Sequence, residues 1–199
     1  MFNIFKFFVF LLLLPLVYSS STAFLDHVKT YPSDFQDFLI YGVVAFFIVF
    51  FFIYQFWGLF ESGQKMKLGM FKFLAPFDRI VCNILPFYFL TTMLLFYLFR
   101  HFFGTSNYDH YFMFFAGFAM TMHVILVAQD MQEQEPSPIK PTYLLSISVV
   151  IILNAVIFIL MVDLVRGLWT FPAFFHKAFD RMADIYSEGL KYLSHVKTK

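Results

Sequence analysis

Cysteine is almost missing from this chain, charge is scarce, and no motif for holding a phosphate, a metal or an activated nucleophile stands out. The single cysteine, Cys82, has no partner for an intrachain disulfide, and among apolar neighbours it reads as a small buried side chain. Charged residues are 14% of the 199 positions against 60% hydrophobic, so a water-soluble domain would lack the polar exterior it needs. The net charge of +1 has no long basic run behind it, which argues against nucleic acid as a partner. No Asn-x-Ser/Thr triplet occurs, so there is no N-glycosylation acceptor to mark a lumenal loop. With no nucleophile set beside a base or a metal, no cofactor, no metal site and no enzymatic activity is expected.

What the chain does have is long apolar runs rich in phenylalanine, which supplies 33 residues. So diffuse a feature suits lipid-facing bulk and filler between helices. The expected fold is an all-α membrane protein, a four-helix transmembrane bundle of two hairpins, preceded by a signal peptide or signal anchor and followed by an amphipathic helix. Residues 1–19 carry Lys6, an apolar run, Pro15 as its break, and Val17 and Ser19 as acceptable residues three and one before a cut after Ser19, the outline of a secretory signal. The alternative is an uncleaved anchor. Residues 20–38 are a polar, non-cytosolic lead-in, in which Ser33, Asp34 and Gln36 resemble a helix start with a capping box. The spans are placed at 39–60, 80–99, 111–128 and 143–165, within a bundle covering 39–165.

Polar residues inside the spans are few, and each is a candidate for packing or partner contact. Tyr54, Gln55 and Trp57 mark the exit of the first span. Asn83 and Pro86 lie in the second, where Pro86 predicts a kink. In the third, Gly117 and Thr121 form a small-residue ridge that admits a close helix, and His123 needs a hydrogen-bond partner such as Asn154, Asn83 or a carbonyl. The fourth holds Asn154 and ends in Asp163 and Arg166, spaced to pair on one helix face. His101, Asp109 and His110 look superficially like a metal set but lack ligand spacing. A bis-histidine haem is excluded because His123 lies roughly 18 Å deeper along its helix than His110.

Two segments suit the membrane surface. The connection after the first span interleaves Lys65, Lys67 and Lys72 with Met and Phe. The tail, residues 166–199, begins with Trp169 and then places Phe174, Phe175 and Phe179 in a three- and four-residue apolar pattern opposite charges, an amphipathic and interfacial helix. A signal of this kind puts the lead-in and the tail outside the cytosol; the basic residues of the tail favour the cytosol, but they are largely balanced by acids and the early signal is expected to set the orientation. The partners expected are membrane lipids and another integral membrane protein, met through the spans or the C-terminal helix. The function expected is a non-catalytic accessory, assembly or scaffolding subunit of a larger membrane complex, in the endoplasmic reticulum or another secretory-pathway membrane. The alternatives are a lipid-binding or lipid-transfer-associated protein and, more weakly, a small pore or carrier.

Overall fold

The computed structural model describes residues 2–52, 62, 65, 66, 69, 70, 78–104, 108–133 and 141–196. These include the helices α1 (Phe2–Val28), α2 (Ser33–Phe52), α3 (Asp78–Ile84), α4 (Phe87–Phe103), α5 (Asp109–Glu133), α6 (Pro141–Arg166) and α7 (Phe171–Val196), and no strand appears among the described residues. Four helical stretches are long and apolar enough to cross a membrane: Ile4–Val28 of α1, then α2, α5 and α6. The fold is therefore an all-helical bundle compatible with an integral membrane protein.

The membership of that set differs from the expectation. The segment at 80–99 is not one long helix, because Pro86 separates the seven-residue α3 from the 17-residue α4. Proline lacks the amide that would continue the hydrogen-bond ladder and crowds the preceding turn. At about 1.5 Å per residue, α4 spans roughly 25 Å, short of a hydrocarbon core of about 30 Å. The N-terminal stretch, in contrast, does not stop at Pro15. α1 runs through it for 27 residues, as membrane helices accommodate proline when the freed backbone groups find other partners. The Ser and Thr residues that follow also fit the helix, since Ser19 Oγ donates to Leu16 O at 3.2 Å and Thr22 Oγ1 to Tyr18 O at 3.0 Å.

Between α1 and α2 the chain turns tightly at Tyr31 and Pro32. The start of α2 is capped by backbone and not by the anticipated Ser33 box: Phe35 N and Gln36 N donate to Pro32 O at 3.0 and 3.1 Å. The Gln36 side chain turns back to Lys29 O and Tyr31 O, closing the loop. Residues 53–60 of the expected first span, with Tyr54, Gln55 and Trp57, lie outside the described residues, as do Lys67, Lys72 and residues 134–140. Lys65, Met66 and Met70 are helical and exposed.

α6 is the floor on which α1 and α5 lie. α1 runs parallel to it, with Lys6 Nζ donating to Thr142 Oγ1 at one end and His27 meeting Thr170, just past the end of α6, at the other. Phenylalanines fill the seam: Phe158 of α6 is stacked on Phe89 of α4 and meets Phe24 of α1 edge-on, each at 5.3 Å between centroids. Phe5, Phe8, Phe51, Phe52, Phe102 and Phe103 are exposed, so both readings of phenylalanine, as filler and as outward bulk, hold. α7 folds back antiparallel along α1, with Phe174 beside His27, Arg181 paired with Asp26 at 2.5 Å, and the Tyr186 hydroxyl donating to Leu12 O. The amphipathic tail thus buries its apolar side, including Phe174 and Ala178, against its own chain.

Candidate functional site

α2 and α5 cross antiparallel with their backbones in contact. Gly117 of α5 faces Leu39 O, and Gly42 of α2 faces Phe114 O; a methyl group at either glycine would overlap the facing carbonyl. Only glycine permits so close an approach. Thr121 does not reach across: its Oγ1 donates to Gly117 O of its own helix at 2.8 Å. Gly117 stands at this crossing, and its counterpart Gly42 is a residue the sequence reading missed. A lone glycine in an otherwise bulky apolar run was the available signal.

At the end of the bundle where α1, α4 and α6 stop and α5 and α7 begin, a polar layer joins them. α6 terminates at Gly167, which adopts φ 66, with Leu168 N donating to Asp163 O and Gly167 N to Leu164 O, the two bonds of a Schellman stop. The turn brings Thr170 and Phe171 back over Asp163, whose residue is only 1% exposed. Its Oδ2 accepts from Thr170 N at 2.6 Å and from Phe171 N at 2.7 Å, while Oδ1 accepts from Thr170 Oγ1 at 2.7 Å. A carboxylate is thereby held against the first amides of α7, where the helix dipole favours negative charge. Thr170 has given its one hydroxyl proton to Asp163, so the 3.1 Å contact with His27 is made by His27 donating through Nε2.

The anticipated Asp163–Arg166 pair is replaced by this arrangement. The Arg166 guanidinium lies over the rings of Tyr31 and Phe35, 5.2 and 5.1 Å from their centroids. Burial, reinforced by the nearby Asp163 and opposed by Arg166, raises the Tyr31 phenol well above its ordinary range and keeps it neutral. Arg100 of α4 reaches in from the side, donating to Val165 O at 3.0 Å and standing 3.7 Å from Asp109 of α5. Asp109 is buried here, and its neighbour His110 packs on Phe38 and Tyr111, each at 4.3 Å, while His101 is exposed. Among the described residues, no three His, Cys, Asp or Glu side chains converge as a metal site.

Deeper in the bundle, Asn154 is 2% exposed and its Nδ2 donates to Val150 O at 2.8 Å and to Ile84 O at 3.3 Å. Ile84 ends α3, so its carbonyl has no amide of the same helix to accept from, and Asn154 supplies the donor. Asn154 thus ties α6 to the break at Pro86. His123 is buried on α5 and Asn83, on α3, is half-buried. Of the candidates in the tail, Trp169 is 75% exposed, Phe174 is buried, Phe175 is half-buried, and Phe179 is exposed. The residues the sequence brought together least are those of the polar layer, because each is local to a different helix end.

The chain matches no protein-family model, and comparison with curated proteins and with solved structures yields no significant similarity.

Proposed function

We propose that this protein is a non-catalytic accessory or scaffolding subunit of a larger membrane complex, with α7 as the face that meets the partner. The observation that carries this reading is the position of α7. It descends beside α1, a helix long and apolar enough to cross a membrane, at least as far as Leu12. Its outward side carries Lys177 and then Asp180, Asp184 and Glu188, all exposed and, for the three acids, four residues apart. Carboxylates at that depth are costly in hydrocarbon and are tolerated against protein or water. An acidic stripe on a helix tied to its own bundle by Arg181–Asp26 suits an integral membrane partner that presents basic or hydrogen-bond-donating groups.

The apolar N-terminal stretch supports entry through the secretory route, and so a membrane of the endoplasmic reticulum or a later compartment. We read α1 as a retained anchor. Ser19 and Ser20, the site of a signal cut, are 0% and 3% exposed in the middle of a helix that packs on both α6 and α7.

The test is mild-detergent purification of the tagged protein from its native membrane, followed by mass spectrometry, beside the double variant Asp180→Lys/Asp184→Lys. A stoichiometric chain that accompanies the native protein and is lost from the variant is expected. Recovery of the native protein as a lone, stable monomer would end this reading. The same spectra bear on α1: peptides from residues 7–19 are expected in the mature protein, and a new N-terminus at Ser20 would show the anchor to be removed.

A further inference from the structure

α6 is long and apolar enough to cross a membrane, and Arg166 is its last residue, so in a bilayer the guanidinium stands at the headgroup level. Trp169 and Tyr108, both exposed at this end of the bundle, suit the same level, where rings with a polar edge are at home. The faces of Tyr31 and Phe35 fix where the cation stands. They leave its N–H groups to be met by something else.

Among the described residues, no carboxylate, carbonyl or hydroxyl accepts a hydrogen bond from Arg166. The residue is half-buried, yet its nitrogens are open to the outside, unlike the Tyr31 hydroxyl, which is sealed. The charged groups near it are Arg100, Asp163 and Asp109. Asp163 spends both oxygens on Thr170 and Phe171, and Asp109 stands 3.7 Å from Arg100. Arg100 is held beside Arg166 by its bond to Val165 O, and so adds a second positive charge. A half-buried cation without a hydrogen-bonded counter-ion is destabilising, and an anion from outside would meet both needs.

We propose that Arg166, with Arg100 beside it, is a binding site for a phosphate group, which the guanidinium meets by donating two parallel hydrogen bonds to phosphate oxygens. Arginine's planar fork matches phosphate in this way, and its position on two ring faces orders it before the ligand arrives. A phosphate is also the anion that the headgroup level supplies, on a phospholipid or as the free ion. Lysine in the same place would offer a point charge without the fork. The site is separate from the acidic stripe of α7 and stands whether or not that stripe meets a partner.

The test is titration calorimetry of the full-length protein in a neutral detergent with dioctanoyl phosphatidic acid, dioctanoyl phosphatidylcholine, dioctanoylglycerol and inorganic phosphate. Saturable binding of at least one phosphate-bearing ligand is expected, and none of dioctanoylglycerol, which has the same tails without the phosphate. Inorganic phosphate binding as tightly as the lipids identifies the free ion as a sufficient source; binding of the lipids alone identifies the headgroup. Arg166→Gln is expected to weaken the affinity about tenfold or more, and Arg166→Lys, which keeps the charge and loses the fork, several-fold. Lys29→Gln, which removes an exposed positive charge at the same end, is expected to leave it unchanged. Folding of each variant is checked by its elution from a sizing column, and if Arg166→Gln does not fold, Arg166→Lys carries the comparison. Equal binding of dioctanoylglycerol, no binding of any phosphate-bearing ligand, undiminished binding by a folded Arg166 variant, or an equal loss in Lys29→Gln would overturn the proposal.

Discussion

Where α2 crosses α5, the protein removes side chains until two backbones meet, with Gly42 under Phe114 O and Gly117 under Leu39 O. Where α1, α4 and α6 end, it does the reverse, filling the space with Asp163, Thr170, His27, Arg100 and Arg166 so that one helix end is satisfied by another. The two regions solve different problems. For two apolar helices in lipid, association would gain little from hydrophobicity, because lipid is as apolar as the helix surface, so close van der Waals contact would have to hold them. At helix ends the unmet amides and carbonyls dominate, and charged or hydroxyl side chains are worth more than close contact. The crossing consequently depends on the small size of its glycines, and the end layer on its hydrogen bonds and charges.

The contrast can be broken most severely at the crossing. Gly42→Leu has no space to enter, since even a methyl group overlaps the Phe114 carbonyl. We expect a loss of about 3 kcal/mol or more, read as a lower melting temperature in detergent. A variant that melts like the native protein would show that the backbones are not in contact. Asp163→Ala is the matching change at the end layer. It strands the amides of Thr170 and Phe171 and the hydroxyl of Thr170, for an expected loss of about 2–3 kcal/mol. Hydrogen exchange locates the damage: the start of α7 should lose protection while α2 and α5 keep theirs. Uniform loss through all the helices would mean that Asp163 supports the whole bundle. Thr121→Ala sharpens the comparison from the other side, because this hydroxyl serves only its own helix. Its effect should stay within about 0.5 kcal/mol, and a larger one would make Thr121 a member of the crossing.

Some of this was legible in advance and some was not, for identifiable reasons. Gly117 was legible because a small residue within an apolar span has few other uses. Pro86 was legible as a disturbance, but not that it would break the helix and leave Ile84 O to accept from Asn154, which lies 70 residues away in sequence. Asp163 was misjudged because sequence spacing offers Arg166 as its partner, whereas the turn at Gly167 brings Thr170 and Phe171 nearer. His27 and Arg100 lie far from Asp163 in sequence, and no periodicity connects them. Pro15 read as a stop because proline ends helices in water, but here the helix continues through it.

By itself the sequence determined the class of the molecule: apolar runs of this length, with so little charge, leave helices as the structure in which each segment satisfies its own backbone inside a membrane. It also determined the amphipathic character of the tail, since that is a property of spacing along one helix. Tertiary structure decided which surfaces meet. It placed Gly42 opposite α5, turned Asp163 toward α7, laid the tail along α1, and brought Asn154 to the carbonyl that ends α3. Those outcomes depend on side chains distant in sequence sharing one position in space, and local patterns of hydropathy and spacing carry no record of such coincidences.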